Sequence, residues 1–377
     1  MVVIPFPLHG GNVHAVARSQ GRSIQHVLDF SASINPLGLS PSVRRAIHRA
    51  ISLTIHYPEI DAQSLRAQLA KFHRIPEECL IVGNGSAELI SVIPRALGSR
   101  HGLVIGPTFM EFERALILAG ARCTYVHATS MTRYAPPIDD VCALLHKQSG
   151  MREKPSRRGI HPIDTIFLCH PNSPTGQVIS RASFHQLLDS VQQAGARLIV
   201  DEAFVDYCAT RSVLRHVRKS ETLLVLRSFT KFFAIPGLRL GYAAGPAKVV
   251  SQIRSMLPPW SVNALASAAA EAALCDTTYR RRSVQFMKQE RTRFTQALRQ
   301  IPGLRVHPSS ANFLLVQLKA QDQVSLLTQE LCTQGIVIRN CQNFAGVDVP
   351  TIRLAVRRPK ENDRLVKAVK RELKKWS

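Results

Sequence analysis

Lys231 is the residue with the most chemistry open to it. It stands in Arg227-Ser-Phe-Thr-Lys231-Phe-Phe-Ala-Ile-Pro-Gly-Leu-Arg239, just after an apolar run, with hydroxyls at Ser228 and Thr230 and a guanidinium eight residues on. Desolvation lowers a lysine's pKa, and only the neutral amine attacks a carbonyl to form a Schiff base. The two hydroxyls and Arg239 could hold a phosphate, the arginine through paired N–H groups. The same residues also read as a surface lysine with ordinary loop neighbours.

Three further segments carry candidate groups. Asp201 closes Leu198-Ile-Val-Asp201-Glu-Ala-Phe204 at the carboxyl end of a strand-like run, where open α/β sheets place ligands. There it could keep a pyridine nitrogen protonated, or simply cap a turn. Cys169-His170-Pro-Asn172-Ser-Pro174-Thr-Gly176 presents Asn172 from a proline-stiffened loop, or is only a turn. Val82-Gly-Asn-Gly85-Ser86-Ala87-Glu88 runs from a strand into a helix whose first amides make an anion site. It lacks the lysine of a P-loop and the last glycine of a dinucleotide fingerprint, so alone it is a weak signal.

The elements that must position these groups are legible. Short apolar runs at 79–82, 103–105, 124–126, 165–168, 198–200, 223–226 and 240–243 alternate with helix-like stretches at 87–96, 109–119 and 184–194. Such runs are buried strands of a mostly parallel sheet covered by helices on both faces, an α/β domain. Residues 41–51 and 63–72 predict helices, the first opened by Ser40-Pro41. Strand-like pieces at 313–316, 335–338 and 351–356 and a basic helix at 361–375 predict a small α+β C-terminal domain. The expected division is an N-terminal arm over 1–40 that contributes to the substrate pocket, a large domain over 41–295 (41–78 its helical lead-in), and a small domain over 296–377. Residues 152–159 read as an exposed mobile loop.

Composition narrows the classes. The 377 residues are 45% apolar and 20% charged, with 49 Lys+Arg against 26 Asp+Glu, a net charge of +23. That excess invites a nucleic-acid or anionic-surface reading. The N-terminus lacks the pattern of a signal peptide, and no apolar run reaches the ~18 residues of a membrane span. Eight scattered cysteines without metal-ligand spacing predict a reduced, cytoplasmic protein with no structural metal.

In order, the phosphate loop, the Asn loop, the strand–Asp and Ser-x-Thr-Lys with its later arginine resemble fold-type I pyridoxal-phosphate enzymes. The resemblance implies that fold, a large domain with a mostly parallel seven-stranded sheet plus a small α+β domain, with pyridoxal 5'-phosphate as cofactor. It implies that Lys231 forms the Schiff base and Asp201 pairs with the pyridine nitrogen, while Asn172 bonds the ring's phenolic oxygen. Ser86, Ala87, Ser228, Thr230 and Arg239 would hold the phosphate and Phe109 would cover the ring. Tyr57, in His56-Tyr-Pro58, would reach the cofactor phosphate of a partner subunit, the family being typically homodimeric.

Finer motifs separate two branches. The histidinol-phosphate aminotransferases commonly carry a tyrosine where this chain has Phe204, which cannot bond the cofactor oxygen. Instead, His9-Gly-Gly-Asn12, Asp29-Phe-Ser-Ala-Ser-Ile-Asn35-Pro-Leu-Gly38, Thr230-Lys-Phe-Phe-Ala-Ile-Pro-Gly-Leu-Arg-Leu-Gly-Tyr242 and Pro259-Trp-Ser-Val-Asn263 resemble the threonine-phosphate decarboxylase family. That resemblance implies decarboxylation of L-threonine O-3-phosphate to (R)-1-aminopropan-2-yl phosphate, the linker precursor of cobalamin. The alternative is an aminotransferase acting on histidinol phosphate. His9, Gly10, Asn35 and Asn172 would bind substrate; without the resemblance, a histidine beside glycines is a polar loop residue. Arg339 and Arg353 lie in strands, where arginines more often face outward. By resemblance Arg353 clamps the substrate carboxylate and Arg339 its phosphate, assignments that could be exchanged. Ser33 and Ser173 depart from the family pattern, and neither is expected to touch the charge chemistry. A pyridoxal-fold DNA-binding regulator would need a winged-helix segment ahead of these motifs, so neither a nucleic acid nor a membrane is an expected partner. Discrimination between phosphothreonine and phosphoserine rests on one methyl group, ~1–3 kcal/mol.

Overall fold

The computed structural model of the chain describes residues 9–149 and 161–376; the segment 152–159, expected to be mobile, lies outside the described residues. Its centre is a seven-stranded sheet in the order Leu80–Gly83, Gly241–Ala244, Leu223–Ser228, Arg197–Asp201, Thr165–Cys169, His101–Gly106, Arg122–His127. All seven strands coincide with the apolar runs. Six run in one direction, and Gly241–Ala244 alone runs antiparallel, to both its neighbours. Both faces are dry, because alternate residues enter two different cores. Leu198, Val200 and Val225 point into one, Ile199, Leu224 and Leu226 into the other, and all are essentially inaccessible.

The helices begin where local chemistry dictates. Ser40 Oγ accepts from the Val43 amide at 3.2 Å with Pro41 at the first helical position, opening Pro41–Ala50. Asn263 caps the alanine-rich helix Ala264–Cys275, whose buried Ala266, Ala269, Ala270 and Ala273 let Pro41–Ala50 pack closely. Asp276 caps Thr277–Arg299, a helix unmarked in the strand–helix alternation. The expected boundary after residue 295 falls inside this helix, which packs on the C-terminal helix Pro359–Lys374.

The C-terminal strands Arg305–Val306, Phe313–Gln317, Arg339–Asn340 and Thr351–Ala355 form an antiparallel sheet. The run expected as one strand at 335–338 is divided. Ile336–Val337 pairs in parallel with Leu28–Asp29 from the N-terminal arm, and Arg339 then joins the four-stranded sheet. The two ends of the chain are thus sewn together beside the large sheet.

One buried ion cluster fixes the sheet end nearest the site. Glu202, fully inaccessible, lies 3.0 Å from Arg227 and accepts from the Val213 amide at 2.6 Å and Ser212 Oγ at 2.7 Å; Arg227 also reaches Asp206 at 3.2 Å. Removing one partner of such a pair strands the other charge in a dry interior. Glu202→Ala should therefore lose ~3–5 kcal/mol, read as a lower denaturant midpoint at unchanged slope. The apolar double replacement Glu202→Leu/Arg227→Met should lose markedly less.

Candidate active site

Three adjacent parallel strands end at one cavity of about 520 Å³, delivering Cys169, Asp201 and Ser228. A four-residue helical turn after the last of these, Phe229–Phe232, carries Lys231. Opposite, Gly85 adopts φ +84 and has no side-chain cap, so Ser86–Leu97 begins at the cavity with Ser86 and Ala87 in its wall. A Cβ at Gly85 would stand 2.8 Å from Arg239 Nη2, so the guanidinium lies against the loop that starts the helix. Ser228 Oγ and Thr230 Oγ1 are 2.7 Å apart in the same wall. Uncapped amides, two hydroxyls and an arginine form a phosphate-sized donor set.

Lys231 is half-buried in the cavity wall, and its amine is pulled down to about 8, first by desolvation and then by the charges of Arg353 and Arg239; Asp201 pulls the other way. Asp201 is pushed up to about 6 by burial, partly offset by the Ala203 amide donating to Oδ1 at 2.9 Å and by Lys231. An amine made easier to deprotonate and a buried carboxylate across one cavity fit a pyridoxal ring: a carbonyl carbon for the amine, a protonated ring nitrogen for the carboxylate. Phe109 lines the same cavity, as expected of a ring cover.

The small domain supplies the remaining charges. Arg353 is half-buried, is drawn down to about 10 chiefly by desolvation, and makes no ion pair among the described residues. Its Nη1 donates to Ser173 Oγ at 2.8 Å and Nη2 to the Ser31 carbonyl at 2.9 Å, while Nε is buried without a partner. Ser173 therefore does touch the charge chemistry, contrary to expectation, because its hydroxyl orients this guanidinium. Arg339 donates to Asn343 Oδ1 and the Asn340 carbonyl, each at 2.8 Å, and lies over the Phe344 ring. His9, Gly10 and Ser33 line the cavity from the N-terminal arm.

Three sequence candidates fall elsewhere. Asn35 is behind the lysine, not in the cavity wall: its amide nitrogen donates to the Phe232 carbonyl at 2.8 Å and Ser283 Oγ at 2.9 Å, and its backbone N–H to the Lys231 carbonyl at 3.0 Å. It positions the turn that carries Lys231. Asn172 is buried beside the cavity, donating to the Pro107 carbonyl at 2.8 Å and Thr175 Oγ1 at 2.9 Å and accepting from Thr108 at 2.8 Å. With both amide hydrogens engaged, it has none left for a cofactor oxygen in this arrangement. Tyr57 is 81% exposed and stacks on Trp260, 4.8 Å between centroids, outside this chain's cavity. Conversely, Glu111, Arg114 and Phe344 line the cavity though the sequence did not single them out. Glu111 and Arg114 follow Phe109 on the first turn of Glu111–Leu118, a position next to a recognised residue and the one available signal.

Known proteins resemble the chain over nearly its whole length. Threonine-phosphate decarboxylase of Salmonella typhimurium is 36% identical, covering 97% of this chain and 96% of that protein. Among solved structures, L-threonine-O-3-phosphate decarboxylase from Porphyromonas gingivalis superimposes with a TM-score of 0.77 at 25% identity, over 92% of this chain and 100% of that one. The histidinol-phosphate aminotransferase from Clostridium acetobutylicum does so with a TM-score of 0.83 at 27% identity, over 93% and 100%. With the model of the class I and II aminotransferases matched across residues 25–369, the chain belongs to that family.

Proposed function

We propose that this chain is a pyridoxal-phosphate-dependent decarboxylase that converts L-threonine O-3-phosphate to (R)-1-aminopropan-2-yl phosphate, a cobalamin precursor. The observation that carries the reading is the convergence of His9, Arg339 and Arg353, from opposite ends of the chain, on the cavity that holds Lys231. A substrate with a carboxylate and a phosphate matches them in charge. The 36% identity to a threonine-phosphate decarboxylase supports it.

Pyridoxal phosphate, when bound, supplies an electron sink for the pair left by a bond broken at the substrate's Cα. The chain decides which bond that is, since only the one perpendicular to the conjugated plane can break. Arg339 and His9 anchor the phosphate and Arg353 the carboxylate, turning the Cα–carboxylate bond out of plane; binding energy from a remote group thus orients the reacting centre. Asp201 holds the proton on the ring nitrogen, Ser86, Ala87, Ser228, Thr230 and Arg239 hold the cofactor phosphate, and Lys231 Nζ returns a proton to Cα after CO2 leaves. Phe204, packed edge-on against Phe313 at 5.0 Å, gives the cavity an apolar wall where an aminotransferase-type tyrosine would place a hydroxyl. The stronger superposition on a histidinol-phosphate aminotransferase makes transamination the second reading.

The working form is a homodimer in a reducing cytoplasm. Ile51, Leu53, Ile55, Tyr57, Ile60 and Trp260 are exposed near one another in sequence or by contact, an apolar surface suited to a second copy, whose cofactor phosphate Tyr57 would then reach. All eight cysteines are free thiols. Among the described residues no helix is long and apolar enough to cross a membrane.

Phosphothreonine without a keto acid should yield CO2; glutamate from histidinol phosphate plus 2-oxoglutarate, without CO2 from phosphothreonine, would select the second reading. Arg353→Ala should lower kcat/KM for phosphothreonine about tenfold or more, since it deletes a charge-assisted contact of ~1.5–3 kcal/mol. An unchanged value would remove Arg353 from the site. In the apoenzyme, capture of pyridoxal phosphate should accelerate as pH rises through about 8, where the amine loses its proton. Arg353→Gln removes a charge that favours the neutral amine, so it should move that midpoint upward. Lys231→Ala should leave no cofactor that borohydride can fix to the protein.

A further inference from the structure

The cavity wall contains a second carboxylate, Glu111, for which the proposed reaction has no use. A bare carboxylate there would repel a substrate that carries two anionic groups. It is not bare. Glu111 Oε1 lies 2.8 Å from His9 Nε2, and Oε2 accepts from Arg114 Nη1 at 3.2 Å. It opens the helix Glu111–Leu118, where the aligned amides favour negative charge. The hydrogen bond from His9 and then Arg114 hold its carboxyl below the ordinary range. An ionised carboxylate accepts only, so Nε2–H is the donor, and a contact between Nδ1 and an anion requires a hydrogen on Nδ1 as well, the ring then being the imidazolium.

That bond fixes where the histidine points. The His9 ring leans on Phe109 at 5.5 Å between centroids, and its Nδ1 has no hydrogen-bond partner among the described residues. Just behind it, the Gly11 amide donates to Ser31 Oγ at 2.8 Å, and Ser31 Oγ donates to Asp29 at 2.6 Å. A Cβ at Gly10 would stand 2.3 Å from the Ser31 carbonyl, so only glycine lets the arm lie this close. His9 itself is exposed along much of its side chain and would swing freely without its carboxylate.

We propose that Glu111 is a positioning residue: with Arg114 behind it, it grips His9 by Nε2–H, turning the Nδ1–H of the imidazolium toward the substrate's phosphate beside Phe109. This rests on the decarboxylase reading for the identity of the anion. The test is a mutant cycle in the holoenzyme, with phosphothreonine turnover and inorganic phosphate binding as parallel readouts. Glu111→Ala should raise KM for phosphothreonine about tenfold or more while kcat moves less, with the cofactor's visible spectrum retained. His9→Ala should do the same, and the double variant should be no worse than His9→Ala alone, as expected of groups acting in series. Glu111→Gln keeps the acceptor oxygen and should recover part of the loss. Phosphate affinity should follow the same pattern across the four proteins. Additive losses, an unchanged Glu111→Ala, or an equal rise in KM for threonine lacking phosphate would overturn the assignment. Failure of the wild type to release CO2 would instead remove the decarboxylase reading, and the phosphate titration would still decide whether Glu111 works through His9.

Discussion

A half-buried guanidinium that makes no ion pair among the described residues is the constraint around which this molecule is arranged. Arg353 is partly desolvated at its place in Thr351–Ala355, and a charge so placed is costly unless dipoles or a ligand answer it. The Ser173 hydroxyl and the Ser31 carbonyl answer part of it, and the Phe313 ring lies 5.2 Å beneath the guanidinium. Those partners belong to the Asn loop, the N-terminal arm and the small sheet. Satisfying one side chain therefore brings three separate parts of the chain to the edge of the large sheet. The guanidinium also borders the cavity, where its charge is available to an anionic substrate.

The same charge sets the chemistry of its neighbour. The amine of Lys231 is held well below the ordinary lysine range by its surroundings, with Arg353 the strongest of the charges acting on it. The residue proposed to recognise substrate would thus also prepare the amine. Asp201 opposes this, and its own carboxyl is raised by the burial that lowers the lysine. Neither group could be replaced by a same-charge residue placed in water and behave alike.

Much of this was legible in the sequence. Seven apolar runs marked seven strands, since strands buried on both faces cannot hide their composition. Lys231, Asp201, Ser228 and Arg239 were legible for a related reason, as polar residues at the ends of those runs. Asn35 and Asn172 show where reading by type fails: an amide beside a site serves equally as a structural clamp, and only its partners tell which. Glu111 was missed because acids in a first helical turn are commonplace, and its meaning depends on a histidine 102 residues earlier. The excess of +23 reads differently now: some of it is spent inside the cavity, and Arg280 lies over Phe72 at 4.6 Å rather than standing free in solvent.

The pairing of Leu28–Asp29 with Ile336–Val337 has a consequence for how the protein comes into being. On the ribosome the arm emerges first and the strand it needs emerges some three hundred residues later. The large sheet and its lysine can form in the interval, but Leu28–Asp29 has no strand to join and Arg339 and Arg353 are not yet made. Synthesis therefore passes through a stage with the nucleophile assembled and its selectivity missing, and the last strands made are the ones that finish the work of the first.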